Sequence, residues 1–236
     1  MRRLCRLVVK RLGGEPTVAE DREFQYVTIV GFNYLQPIAA LLERLLLLEK
    51  RGPAEVQASP IENGYSVAIL VLTVLMIESS IRRTQYVLGS LSQKSALVFA
   101  KEQLPTCPLI PDLEEAFVAR DVVAHNHVYE ATVTWEPPSS LRLLGANHLS
   151  DGDAKFNRVV DRSTLKTRRL GLNLFPTRVC LHDVAVILKL AHDFFSFLEK
   201  TDRRYFYISP QIVEFQHRLV SFRDLAESAG KALGAA

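Results

Sequence analysis

Eight residues hold most of the chain's candidate chemistry: Arg120-Asp121-Val122-Val123-Ala124-His125-Asn126-His127. They sit in an otherwise apolar stretch that includes Phe117, Val118 and Val128. Buried there without partners, these polar groups would be costly, so they must pair, meet water or face a ligand. Histidine moves protons near neutral pH, and a guanidinium fork holds two anionic oxygens at once. On a helix, Asp121 and His125 stand at i, i+4 on one face. That spacing lets Asp121 accept the Nδ1–H of His125 and leaves the other ring nitrogen for proton transfer. Arg120 shares a face with His127 at i, i+7 and lies about 140° from His125. Arg120 and His125 reach one atom only where the helix ends, distorts, or meets a second copy of itself. The alternative is a polar seam of a bundle, with each group satisfied by a neighbour.

The elements that must position this cluster follow from periodicity and breakers. A helix is expected over 22–51, rich in leucine and stopped by Arg51-Gly52-Pro53, with a loop over 53–63. A second helix over 64–88 is apolar nearly all round in its first half, which suits the middle of a bundle. A shorter helix over 92–103 follows. The cluster lies on a helix expected to start near Leu113, capped by Asp112, and to run through Val133 toward Pro137-Pro138. From there to about Pro176 the helical period is lost, and LRLL, FNRVV and LGLNLF read as short strands or extended loop. Helices resume over 180–200, where Val184, Ile187, Leu188, Ala191, Phe194, Phe195 and Leu198 form one stripe, and over 210–232. The expected fold class is all-α: a helical bundle over 16–236 with an irregular insertion at about 137–178 that could hold short strands. A basic arm over 1–15 precedes it.

The 236 residues carry 29 Lys+Arg against 26 Asp+Glu, 48% hydrophobic residues and 23% charged ones, which excludes a disordered or collagen-like chain. The net +3 is too small to announce a polyanion partner. Its distribution says more. Arg2, Arg3, Arg6, Lys10 and Arg11 precede the first acid, Glu15. Lys155, Arg158, Arg162, Lys166, Arg168, Arg169 and Arg178 form a second basic stretch whose one acid is Asp161. Setting both segments aside leaves 17 basic against 25 acidic residues, a body of −8. The second stretch is either a solvated loop or a phosphate-facing one.

Cys5, Cys107 and Cys180 are odd in number, widely spaced and without a C-x-x-C, so neither a disulfide framework nor a structural zinc site is expected. A reducing cytoplasmic setting fits. The uncharged run from Asn63 to Ile77 falls short of the roughly 20 residues a membrane span needs. MRRLCRLVVKRLGG has no long apolar core and is a poor secretory signal. No Walker loop, G-x-G-x-x-G, H-E-x-x-H or G-x-S-x-G occurs, and apart from the His125/His127 pair the six histidines are scattered. No cofactor or metal is expected.

The six residues from Arg120 to His125 resemble the R-x(4–6)-H motif of the HEPN superfamily, in which a polar residue follows the arginine as Asp121 does here. The context is similar too. MIESSIRR, Met76 to Arg83, looks like the glutamate-and-arginine end of an early helix in that family. LGLNLFPTRVCLHDVAVILKLAHDFFSFLE looks like the approach to a late one. The likeness covers roughly residues 20–205. It implies a helical bundle, usually a homodimer, often a metal-independent endoribonuclease, and sometimes a toxin or defence effector neutralised by an antitoxin such as a nucleotidyltransferase. Arg120 and His125 would be the motif pair, Asp121 the orienting residue and Asn126 a supporting one. His127 also fits the permitted spacing, so the choice of histidine stays open. Glu78 and Arg82 would stand behind the pair. The product implied is a 2′,3′-cyclic phosphate, formed by attack of the ribose 2′-OH with histidine moving the proton and arginine stabilising charge. RNA contact by Lys155, Arg158, Arg162, Lys166, Arg168 and Arg169 rests on charge alone. A non-catalytic HEPN-like module that binds a protein or nucleotide, or a helical dimerisation scaffold, are the alternatives.

Other residues receive plainer expectations. Glu78, Arg82 and Arg83 read as ion-paired, Trp135 as a packing plug, and Phe194, Phe195 and Phe197 as core or dimer interface. Tyr205, Phe206 and Tyr207 beside Arg203 and Arg204 read as a packed linker rather than a base-stacking site. His148, His182, His192 and His217 carry no motif.

Overall fold

The computed structural model describes residues 30–48, 60–88, 94–124, 129–134, 140–146, 154–201 and 211–234. Its helices are α1 (Leu35–Leu46), α2 (Pro60–Val87), α3 (Ala96–Gln103), α4 (Ile110–Ala124), α5 (Ala154–Val159), α6 (Leu181–Thr201) and α7 (Phe222–Gly234). Three antiparallel pairs are added: β1 (Tyr129–Thr134) with β2 (Ser140–Ala146), β3 (Val160–Asp161) with β4 (Lys166–Thr167), and β5 (Ile212–Phe215) with β6 (Arg218–Ser221). The architecture is mostly helical, with small antiparallel pairs between the later helices.

α2 is the hub, because its first half is apolar nearly all round. Ile69, Leu70, Val74, Met76, Ile77 and Ile81 are all buried, and the helix packs against α1, α3, α4 and α6. By length and composition Ile61–Val87 could cross a membrane, yet half of its most apolar window is buried inside this fold. In this fold it is the helix that α1, α3, α4 and α6 all pack against. Its first residue is Pro60, a position where a missing N–H costs nothing, so the helix starts inside the stretch expected to be loop.

A 3₁₀ turn, Val30–Tyr34, leads into α1 and leans on α2 through Gly31, whose N–H donates to Ser79 Oγ at 2.9 Å. A methyl group on Gly31 would sit 3.0 Å from the Met76 carbonyl oxygen and 3.1 Å from Ser79 Cβ. Gly31→Ala is therefore expected to destabilise the fold by about 1–3 kcal/mol. A thermal melt would register it, and an unchanged Tm would show that the turn moves away at no cost.

Three expectations are corrected. The cluster helix was expected to reach Val133, but α4 is described only to Ala124 and Tyr129–Thr134 is a strand, its partner running from Thr134↔Ser140 to Tyr129↔Ala146. The alternation of Tyr-Glu-Ala-Thr-Val-Thr suits a strand, and its β-branched residues favour one. The same helix starts at Ile110 rather than Leu113, so Asp112 lies in its first turn instead of capping it. The last helix was expected from 210; instead β5 and β6 come first and α7 begins at Phe222. Val213 and Phe215 are buried while Ile212 and Glu214 are exposed, a period of two. The two-residue turn puts Gln216 and His217 at φ of +50° and +59°, as a twisted tight hairpin requires.

Among the described residues, the insertion holds regular elements. FNRVV, expected as strand or loop, begins in α5 and ends in β3. LRLL lies in β2, one of the short strands foreseen. The 180–200 expectation matches α6, and all seven residues of its stripe are buried. Phe194 and Phe195 are core, in contact with each other, and Phe195 meets Phe222 of α7.

Candidate functional site

α4 presents two kinds of surface. Leu113, Ala116, Phe117, Ala119 and Val122 are buried in the core. Arg120 and Asp121 fall at its edge, half-buried, where α2 and α5 approach. The Arg120 guanidinium lies over the Phe117 ring, one turn earlier, with its carbon 5.2 Å from the ring centroid. Arg120 Nη1 donates to Glu78 Oε2 at 2.5 Å, and its Nε donates to Asp121 Oδ1 at 2.8 Å. Lys155 Nζ of α5 stands 3.5 Å from the other Asp121 oxygen. Arg82, one turn after Glu78 on α2, lies 3.9 Å from the Glu78 carboxylate. The cluster is thus three cations around two carboxylates.

Burial alone would lower the affinity of Arg120 for its proton. The hydrogen bond to Glu78 and the charge of Asp121 outweigh that burial and hold the guanidinium above its ordinary range. With 17% of its side chain exposed, Arg120 is a fixed cation that solvent reaches from one side. On Arg83, by contrast, burial pushes the guanidinium down.

Further back along α4, three acids receive the basic insertion. Glu114 binds both Lys101 Nζ, at 2.9 Å, and Arg158 Nη2. Desolvation pushes the Glu114 carboxyl up, but these two cations outweigh it and hold the group below the usual carboxylate range. Glu115, 1% exposed, accepts the backbone N–H of Arg169 at 2.9 Å and of Leu170 at 2.8 Å. Asp112 takes Arg169 Nε at 2.6 Å.

Of the six cations assigned to RNA on charge, Lys155, Arg158 and Arg169 therefore face carboxylates of α4, and Arg162 bonds Asn157 Oδ1 at 2.7 Å. Lys166 and Arg168 are exposed and pair with no carboxylate among the described residues. Asp121, expected to orient His125, is here engaged by Arg120 and Lys155. His125, Asn126 and His127 lie outside the described residues, as do Trp135, His148 and the aromatic linker 205–207. The described part of α4 ends one residue before His125, so the i, i+7 argument that set His127 beside Arg120 has no described helix beneath it.

Sequence reasoning missed the seat of Arg120 on Phe117, although a Phe–Arg pair at i, i+3 on a helix was a signal for it. It also gave His192 no role. His192 lines a groove of about 610 Å³ between α6 and α7, with Lys189, Asp193, Arg223, Glu227 and Lys231. The groove shares no residue with the Arg120 cluster. Among the described residues, no group of three or more His, Cys, Asp or Glu side chains is arranged to hold a metal ion. No protein-family model, curated protein or solved structure matches the chain.

Proposed function

We propose that the chain is a metal-independent endoribonuclease of the HEPN type, acting as a homodimer in the cytoplasm. The observation that carries this reading is Arg120: a permanently charged, half-buried guanidinium on an aromatic seat, one turn before the described end of α4, with His125 next in sequence after that end. In this reading a phosphodiester takes the anion position of Glu78 or Asp121 at the Arg120 fork. A histidine of the motif removes the 2′-OH proton as that oxygen attacks phosphorus. The bond to the 5′-oxygen breaks, the leaving oxygen takes a proton, and a 2′,3′-cyclic phosphate remains. Arg120 stabilises the charge on the non-bridging oxygens in the transition state. Lys166 and Arg168 would attract the strand from outside. The biological setting we favour is a toxin or defence effector, restrained by an antitoxin or nucleotidyltransferase partner.

The experiment incubates purified protein with cellular RNA in EDTA beside variants of Arg120 and of each motif histidine. Intact RNA with the wild-type protein would end the nuclease reading.

One observation favours a second reading. Two carboxylates already occupy Arg120, which is what a non-catalytic module or a dimerisation scaffold would show if the arginine simply tied α2 to α4. Glu78→Gln separates the two. If phosphate competes with Glu78, the variant is expected to bind a labelled RNA oligonucleotide about fivefold more tightly, roughly 1 kcal/mol. Fluorescence anisotropy at fixed salt measures this. A variant that loses stability and gains no affinity would favour the structural tie.

A further inference from the structure

α2 turns Ile69, Leu70, Val74, Met76, Ile77 and Ile81 into the core, but its end is exposed. Tyr86 is 65% exposed, and the following Val87 and Leu88 are 40% and 38% exposed. The residues just before it, Arg83, Thr84 and Gln85, are buried, so the exposed line on this part of the helix runs through Arg82 and Tyr86. Glu78, Arg82 and Tyr86 stand at i, i+4 and i+8. Each step advances about 6 Å along the axis and turns about 40°, which makes a shallow spiral leading from the Arg120 cluster to the aromatic ring.

Arg82 is held in place rather than waving in solvent. Its Nη1 donates to the backbone carbonyl of Lys94 at 2.7 Å and to Gln85 Oε1 at 3.1 Å, while Glu78 lies on its other side. The side chain is nonetheless 46% exposed. A cation already fixed in one geometry loses little freedom on meeting an anion. An exposed aromatic face one helical turn beyond such a cation is the pairing that single-stranded nucleic acid uses, with a phosphate on the guanidinium and a base on the ring. Scattered exposed apolar side chains need no explanation. This one differs because it stands in line with two charged residues of the candidate site.

We propose that the exposed end of α2 is a nucleotide subsite, with Tyr86 stacking a base and Arg82 holding the adjacent phosphate of a single-stranded RNA whose scissile phosphate lies at Arg120. The proposal rests on the ribonuclease reading and names how that site would grip its substrate. It makes the site tolerant of base identity at this position, since every base offers a stacking face.

The test uses the full chain and a fluorescein-labelled ten-residue oligoadenylate with 2′-O-methyl groups, which binds but cannot be cut. Tyr86→Ala is expected to weaken binding about tenfold, and Tyr86→Phe to keep most of it. Replacing one adenosine after another by an abasic unit should weaken wild-type binding at one position and leave Tyr86→Ala insensitive there. Arg82→Gln should flatten the slope of log affinity against log salt by about 0.7. In cleavage of unmodified RNA, most of the Tyr86→Ala loss should fall on KM rather than kcat. Wild-type binding that Tyr86→Ala leaves unaltered overturns the subsite while the ribonuclease reading stands. A wild-type protein that neither binds the oligomer nor cuts RNA overturns both. A Tyr86→Ala variant that loses its oligomeric state on light scattering, yet binds the oligomer as before, assigns the patch to a second copy of the chain and overturns the subsite.

Discussion

Arg120→Ala is expected to lower metal-independent RNA cleavage by about two to three orders of magnitude, the usual cost of removing a preorganised group that stabilises transition-state charge. Arg120→Lys should recover little, because an ammonium carries the charge without the planar fork that grips two oxygens. The fold should survive both changes. Glu78 retains Arg82 and Asp121 retains Lys155, so neither carboxylate is left without a cation. Gel assays in EDTA give the rate, and circular dichroism gives the melting control. Cleavage by Arg120→Ala at the wild-type rate would remove the arginine from the mechanism and the ribonuclease reading with it. His125→Ala and His127→Ala in the same series decide which histidine moves the proton.

The largest expected effect on stability belongs to Asp183→Ala, about 3–5 kcal/mol. Asp183 is fully buried in the first turn of α6. One oxygen accepts the Asn173 backbone N–H at 2.8 Å, and the other accepts Asn173 Nδ2 at 3.0 Å and the Cys180 N–H at 2.9 Å. The bond to Cys180 is the returning half of a capping box, and a carboxylate in the first turn also suits the helix dipole. Burial and then the Asp183 charge push the neighbouring Cys180 thiol up to about 11. Alanine would leave two buried Asn173 donors and the half-buried Cys180 amide without this acceptor, and detach the Asn173 segment, which bridges to Lys166, from α6. Urea denaturation should show a lower midpoint with an unchanged slope. A midpoint within experimental error of wild type would mean that water or a shifted Asn173 satisfies the site.

The two predictions draw on parts of the chain that were legible to different degrees. α6 could be read directly, because one stripe of seven apolar residues at helical spacing faces the core and little competes with that pattern. The polar cluster at Arg120 was visible as an anomaly in an apolar stretch. Of its partners, Glu78 was legible behind the pair through the family likeness alone, and Lys155 was not legible as a partner of Asp121, since they lie 42 and 34 residues from the groups they meet. The basic stretch was legible as charge. That its cations meet the acids of α4 depends on how α5 packs, which composition does not encode. The misplaced start of α7 has a local cause. Four-residue strands give only two alternations, too few to stand against the genuine stripe of Phe222, Leu225, Ala226 and Ala229 that follows, and the helix was extended backward over them. β1 was hidden similarly, as a short alternating run after a strong helical one.

The manner in which Glu115 holds the insertion has a consequence for how this protein can diversify. Glu115 grips the main-chain amides of Arg169 and Leu170, a bond that every residue except proline can make. The Arg169 side chain adds its own bond to Asp112, but the two amide bonds need no particular side chain, and Lys166 and Arg168 are exposed beside them. Charge at Lys166 and Arg168 can be removed or reversed by single substitutions while Glu115 keeps the loop in its place on α4. Mutational drift there changes what the protein attracts without disturbing how it folds.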